Sequence, residues 1–151
     1  MDSKMITPIK NVKDELTKQI IGCCFHVHRT LGPGFPEKVY QAALLADLQT
    51  THLSAERERR FEVFFENRPI GEFRVDLLIE SRVILEIKAV TGSVPQVFAA
   101  QLIAYLKAAK LSVGLLVNFG NLSCQVKRVV YSPVATRSIT SSVKSAVEAM
   151  S

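Results

Sequence analysis

Two short runs with a side-chain period of two, Phe73 to Ile79 and Val83 to Ile87, are separated by Glu80-Ser81-Arg82. They constrain this chain more than any other feature. Alternation on both sides of a short polar loop predicts an antiparallel hairpin, because strand side chains point to opposite faces in turn. A three-residue loop pairs Ile79 with Val83, and counting back two residues at a time sets Asp76 opposite Glu86. A slip by a whole pleat still leaves Asp76, Glu86 and Lys88 on one face. The other face, Phe73, Val75, Leu77, Val83, Leu85 and Ile87, is then expected to be core.

Around this hairpin the apolar spacing alternates between helix and strand. Val12, Leu16, Ile20, Cys23, Cys24, Val27 and Leu31 recur every three or four residues and predict a first helix. Gly32-Pro33-Gly34 breaks it. A second helix is expected from Glu37 through Leu48, with Pro36 in its first turn and fraying near Thr51. Phe61 to Phe65 reads as a strand and Asn67-Arg68-Pro69 as a turn. Gln96 to Lys110 is helical in period, Val113 to Val117 is a fully buried strand, and Cys124 to Tyr131 is a last strand. The order helix, helix, three strands, helix, two strands specifies an α/β fold, a mixed sheet flanked by helices. At 151 residues there is room for one core, assigned to residues 1–131. Residues 132–151 form a serine-, threonine- and alanine-rich extension with room for a short helix.

With 48% hydrophobic and 22% charged residues and few glycines or prolines, disorder and a collagen-like fibre are excluded. No apolar run approaches the roughly 20 residues of a membrane span, and the opening residues lack a signal-peptide core. Three cysteines, two of them adjacent, make no disulfide framework. A soluble cytoplasmic protein without membrane contact is the expectation. The net charge of +5 favours polyanionic partners weakly. His26 and His28 point to different helix faces, His52 is isolated, and the cysteines lack zinc-ligand spacing. With no tryptophan and few aromatics expected outside the core, base stacking is expected to be limited.

Opposed carboxylates destabilise a sheet and raise the pKa of one of the pair, so compensation is needed. Lys88 supplies part of it. A hard divalent cation held by Asp76, Glu86 and the Ile87 carbonyl supplies the rest, with Lys88 orienting a water near a phosphate. Taken alone, a D…ExK spacing more often marks solvent-facing charges on a half-exposed strand. Two further pairs shift the balance: Gln101 and Tyr105 at i, i+4 share a helix face, as do Glu37 and Tyr40 at i, i+3.

The stretch Leu31-Gly32-Pro33-Gly34-Phe35-Pro36-Glu37-Lys38-Val39-Tyr40 resembles the signature of the GxxExxY proteins, a branch of the PD-(D/E)xK nuclease superfamily. The resemblance continues through Gly71 to Leu78, Val83 to Val90, Gln101 to Lys107 and Gly114 to Gly120, and spans about Val12 to Tyr131. It implies a restriction-endonuclease-like core with the active site where the hairpin strands diverge. By position Asp76 and Glu86 would be metal ligands and Lys88 the catalytic lysine. Glu37 would be the additional acid, contacting the metal directly or through water. Gln101 and Tyr105 would match the QxxxY element that positions the lysine, the water or the phosphate. Pro36 stands where the family is expected to carry an aliphatic residue.

Within such a fold Arg57, Arg59, Arg60 and Arg74, with Tyr40, would contact the nucleic acid, although runs of arginine usually form a solvated face. The expected activity is hydrolysis of nucleic acid, DNA ahead of RNA, with magnesium or manganese. The alternative is a catalytically silent module that binds nucleic acid or protein, and a homodimer through the first helix is a further option.

Overall fold

The structure, a computed structural model, describes residues 9–133, with side chains from Glu15 onward. Nearly all of the 132–151 extension, with its expected helix, lies outside the described residues. Eight elements follow in the order α1 (Ile9–Leu31), α2 (Glu37–Thr50), β1 (Ala55–Phe65), β2 (Arg68–Ile79), β3 (Val83–Lys88), α3 (Gln96–Ala109), β4 (Val113–Asn118) and β5 (Gln125–Val130). The strands form one sheet in sequence order, β1-β2-β3-β4-β5. Every neighbouring pair is antiparallel except β3 and β4, which run parallel and are joined by α3. A parallel pair requires such a crossover.

Helices cover both faces. Leu77, Ile79, Val83, Leu85, Ile87, Val113, Leu115 and Val117 pack with Ile20, Leu44 and Leu48 of α1 and α2. Leu78, Ile84 and Leu116 pack with Leu102 and Leu106 of α3. The central strands β3 and β4 are therefore buried on both sides, which is why they read as continuous apolar runs.

The hairpin register is the expected one, with Ile79 facing Val83 and Leu77 facing Leu85. The connection turns through Glu80 and Ser81, both with positive φ (52° and 53°), and closes with the Arg82 amide on the Ile79 carbonyl at 3.0 Å. This is the hairpin geometry whose twist matches the flanking strands.

One expected face is corrected. Phe73 and Val75 do not share the core of Leu77, but pack with Val129 and Tyr105 on the α3 side. The cause lies on β1: its pairing with β2 runs Arg57 to Leu77 and then Arg59 to Val75, and Glu58 between them takes φ 54°. Outside strand geometry at that residue, the ribbon twists and its faces exchange. Beyond this point β1 and β2 continue as a two-stranded arm. Phe64 and Phe65, 58% and 61% exposed, sit at its tip and are among the aromatics outside the core.

At the junction of α1 and α2, Gly32 takes φ 70° with its amide on the His28 carbonyl at 2.7 Å. A left-handed residue just past a helix suits glycine. Pro36 caps α2 from outside, with φ −64° and ψ 156°, rather than lying in its first turn.

Candidate active site

Asp76 and Glu86 lie one residue beyond the last paired rung of β2 and β3. The strands part there, and the side chains replace the ladder. The Asp76 amide donates to Oε1 of Glu86 at 3.2 Å, and the Ile87 amide donates to Oδ2 of Asp76 at 2.7 Å. Glu86 is only 8% exposed. Burial, and after it the Asp76 charge, push its pKa to about 8, against the pull of Lys88.

Lys88 shares the Glu86 face by strand alternation. Its Nζ lies 3.9 Å from the ring centroid of Phe98, so a cation–π contact from α3 holds the ammonium beside the carboxylates. Tyr105 reaches the same place from the next turns of α3. Its ring stacks on Phe73 at 4.2 Å, and Phe73 stacks on Phe61 at 5.5 Å. Burial raises the Tyr105 pKa, and the charges of Glu86 and Asp76 raise it further. Gln101 is exposed on α3, one turn before Tyr105.

On the other side of the pair, Gln41 of α2 is buried and donates from Nε2 to the Asp76 carbonyl at 3.0 Å. Its Oε1 accepts from Arg57 Nη2 at 3.3 Å. Glu37 stands one turn earlier on the same helix face and is exposed. Among the described residues, no cluster of three Asp, Glu, His or Cys side chains could hold a metal, so Glu37 is not brought into a ligand set with Asp76 and Glu86.

Tyr40 is a correction to the sequence reading. It is fully buried, stacked on Phe119 at 4.5 Å, with its hydroxyl donating to the Gly32 carbonyl at 2.6 Å and accepting from the Phe35 amide at 3.2 Å. It locks the turn before α2 and is closed to nucleic acid. The four arginines lie within β1 and β2 and are exposed. Three of them are matched by glutamates: Arg59 to Glu56 at 2.8 Å, Arg60 to Glu72 at 3.6 Å and Arg74 to Glu58 at 3.6 Å. The ribbon is thus a patchwork of both signs rather than a basic stripe. Lys38 also pairs with Glu58 and, as the main cause, holds that carboxyl below its ordinary range.

Asn118 was not foreseen. It ends β4 beside Lys88 in the parallel register and is 1% exposed. Its Oδ1 accepts from the amides of Val90 (2.9 Å) and Gly120 (3.1 Å), and its Nδ2 donates to the Val90 carbonyl (2.9 Å). The chain leaving Lys88 is thereby clamped. Gly120 is needed for this: a Cβ there would lie 2.3 Å from the Val90 carbonyl oxygen. The one signal available beforehand was an asparagine closing an otherwise wholly apolar strand, where a polar side chain must be satisfied. His28 also proves structural, buried and donating from Nε2 to the Asn121 carbonyl at 2.8 Å.

A carboxyl raised to about 8 by burial first and a neighbouring carboxylate second is a donor set short of positive charge. Two such carboxylates fit magnesium or manganese, because magnesium takes one or two protein carboxylates and keeps several waters. Residues 14–129 match a family model of the PD-(D/E)XK nuclease superfamily. The chain belongs to that superfamily, and its mixed five-stranded sheet with flanking helices is a restriction-endonuclease-like α/β fold. Among solved structures, the crystal structure of SSO0001 aligns with a TM-score of 0.51 at 20% identity, a likeness of fold. The alignment covers 62% of this chain and 50% of that one. No curated protein matches the sequence. Among the described residues, no helix is long and apolar enough to cross a membrane.

Proposed function

We propose that the protein is a divalent-metal-dependent nuclease of the GxxExxY branch that hydrolyses phosphodiester bonds in DNA. The observation that carries this reading is the interlocked pair of Asp76 and Glu86 at the point where β2 and β3 part, with Lys88 on the same face. A surface ion pair has no need of a buried carboxyl set against a second carboxylate, whereas a cation site uses such a pair.

Asp76 and Glu86 would hold magnesium or manganese, which when bound lowers the pKa of water and offsets charge on a phosphate. The remaining work belongs to the chain. Lys88, steadied over Phe98, places an ammonium where it can orient a water or neutralise a phosphate oxygen. Tyr105, fixed by its stack on Phe73, offers a hydroxyl to the same phosphate. Gln101 would contact the strand from the exposed face of α3, and Glu37 would act through water from the start of α2. Arg57, Arg59, Arg60 and Arg74 would hold neighbouring phosphates by exchanging their present partners for the backbone.

The test is cleavage of labelled single-stranded, duplex and branched DNA by wild type and Glu86→Ala, with magnesium, manganese or chelator. Cutting that needs both metal and Glu86 is expected. Cutting that survives either removal would overturn the proposal.

A further inference from the structure

A cavity of about 280 Å³ opens between the start of α3 and strands β4 and β5. We propose that it is a nucleotide subsite, receiving one unpaired nucleotide of the substrate strand beside the scissile phosphate. This deepens the nuclease reading, on which it rests for the identity of the strand.

Its position follows from the register. Glu86 pairs with Leu116 across β3 and β4, and Leu116 pairs with Lys127 across β4 and β5. Leu116 and Val129 both pack beneath α3, so by alternation Glu86 and Lys127 look out on that same face. With strands about 4.8 Å apart, Lys127 is about 10 Å from Glu86 along one row of the sheet. The cavity therefore lies within reach of a strand whose phosphate sits at Asp76 and Glu86.

The lining suits a base with its phosphate. Val94, Ala99 and Leu116 supply apolar walls, and Gln96, Gln125 and Lys127 supply polar groups. No acid is among the lining residues, and the Lys127 side chain makes no hydrogen bond or ion pair among the described residues. Oε1 of Gln125 accepts from Asn118 at 3.3 Å and from Asn121 at 2.8 Å. That amide is therefore fixed in orientation, with its NH2 left as a donor for a base oxygen or nitrogen. The volume lies just below the range of drug-sized pockets, enough for one base and too little for a base pair. The substrate class that follows is a single strand, or a duplex end frayed at the scissile position.

The test uses the full chain with two probes. The first is 15N-labelled protein titrated with dAMP or dTMP, and separately with inorganic phosphate. Nucleotides are expected to shift the amides of Val94 to Ala99 and Gln125 to Lys127, and Ala99→Phe, which fills the cavity, should abolish those shifts. Equal shifts with phosphate alone, or none with nucleotide, would overturn the subsite. The second is binding of a labelled oligothymidylate with calcium in place of magnesium, measured against salt. Lys127→Ala, on an exposed edge strand, should weaken binding about fivefold to tenfold and flatten the log–log salt slope by about 0.7, the share of one single-strand phosphate contact. An unchanged slope would overturn it, even if Ala99→Phe disturbs the packing of α3. Nucleotide shifts without cleavage by the wild type would sink the nuclease reading and keep the cavity as a nucleotide site. Cleavage with neither variant affected would do the reverse.

Discussion

The Asp76 amide is bound by the Glu86 carboxylate at 3.2 Å, while the Asp76 carboxylate is bound by the amide that follows Glu86, at 2.7 Å. Each acid therefore supports the main chain that presents the other. Removing the Asp76 side chain leaves the buried Ile87 amide without an acceptor, at a cost of about 1–3 kcal/mol. Asp76→Ala should be destabilised by that amount in denaturant unfolding. Asp76→Asn keeps an acceptor in place and should stay within about 1 kcal/mol of wild type, yet lose metal-dependent cleavage. Equal stability of the two variants would show that the interlock contributes nothing to the fold.

Glu86 carries a pH signature of its own. Its carboxyl titrates near 4.5 without the fold and near about 8 within it, burial being the first cause and Asp76 the second. The fold therefore favours the protonated form. This contribution to stability is complete below about pH 4.5 and is lost as pH climbs toward 8. In metal-free buffer the Tm of wild type should fall steadily relative to that of Glu86→Gln over that window. Magnesium or manganese should raise the wild-type Tm more at pH 8 than at pH 6, because the ion competes with the proton. A metal effect independent of pH would separate the ion from Glu86.

The carboxylate pair was legible in the sequence because it depends on two local quantities, the period of a strand and the length of a loop, and both survive folding unchanged. The side chains that brace it were not. Gln41 meets Asp76 across 35 positions and Asn118 meets Val90 across 28, distances over which no spacing rule operates. Tyr40 shows the opposite failure: helical spacing puts it on one side of α2 with Glu37, but a face about 100° wide has both an inner and an outer margin, and Tyr40 is on the inner one. The exchange of faces at Val75 was invisible for a third reason. It originates in the backbone of Glu58, on the neighbouring strand, and nothing in the alternation of β2 itself records it.

Lys88 and Phe98 make a graded test of the lysine's part. Lys88→Ala should lower cleavage by about 100- to 1000-fold, the loss seen when one oriented donor to a developing charge is removed. Phe98→Leu preserves most of the apolar contact but removes the π face 3.9 Å from Nζ. At about 0.5–1 kcal/mol for a partly exposed contact, the expected loss is about twofold to fivefold in kcat with KM little changed. Wild-type kcat in Phe98→Leu would show that Lys88 finds its position without the ring.

Asn118 and Gly120 test whether the clamp after Lys88 matters to the site as well as to the fold. Asn118→Leu fits the volume but leaves two amides and a carbonyl without partners, and should cost about 2–4 kcal/mol, read as a shift in the denaturation midpoint at unchanged slope. Gly120→Ala forces the Val90 main chain away, since its Cβ would otherwise lie 2.3 Å from the carbonyl oxygen. Val90 is two residues from Lys88, and the Lys88 carbonyl itself accepts from the Phe119 amide at 2.9 Å, so this displacement reaches the lysine through its own backbone. Cleavage measured per folded molecule should therefore fall about tenfold in Gly120→Ala, more than its stability loss accounts for. Should both variants lose stability and yet cleave normally when folded, the clamp would be a device of the β4 terminus alone, and the aim of Lys88 would have to come from Phe98.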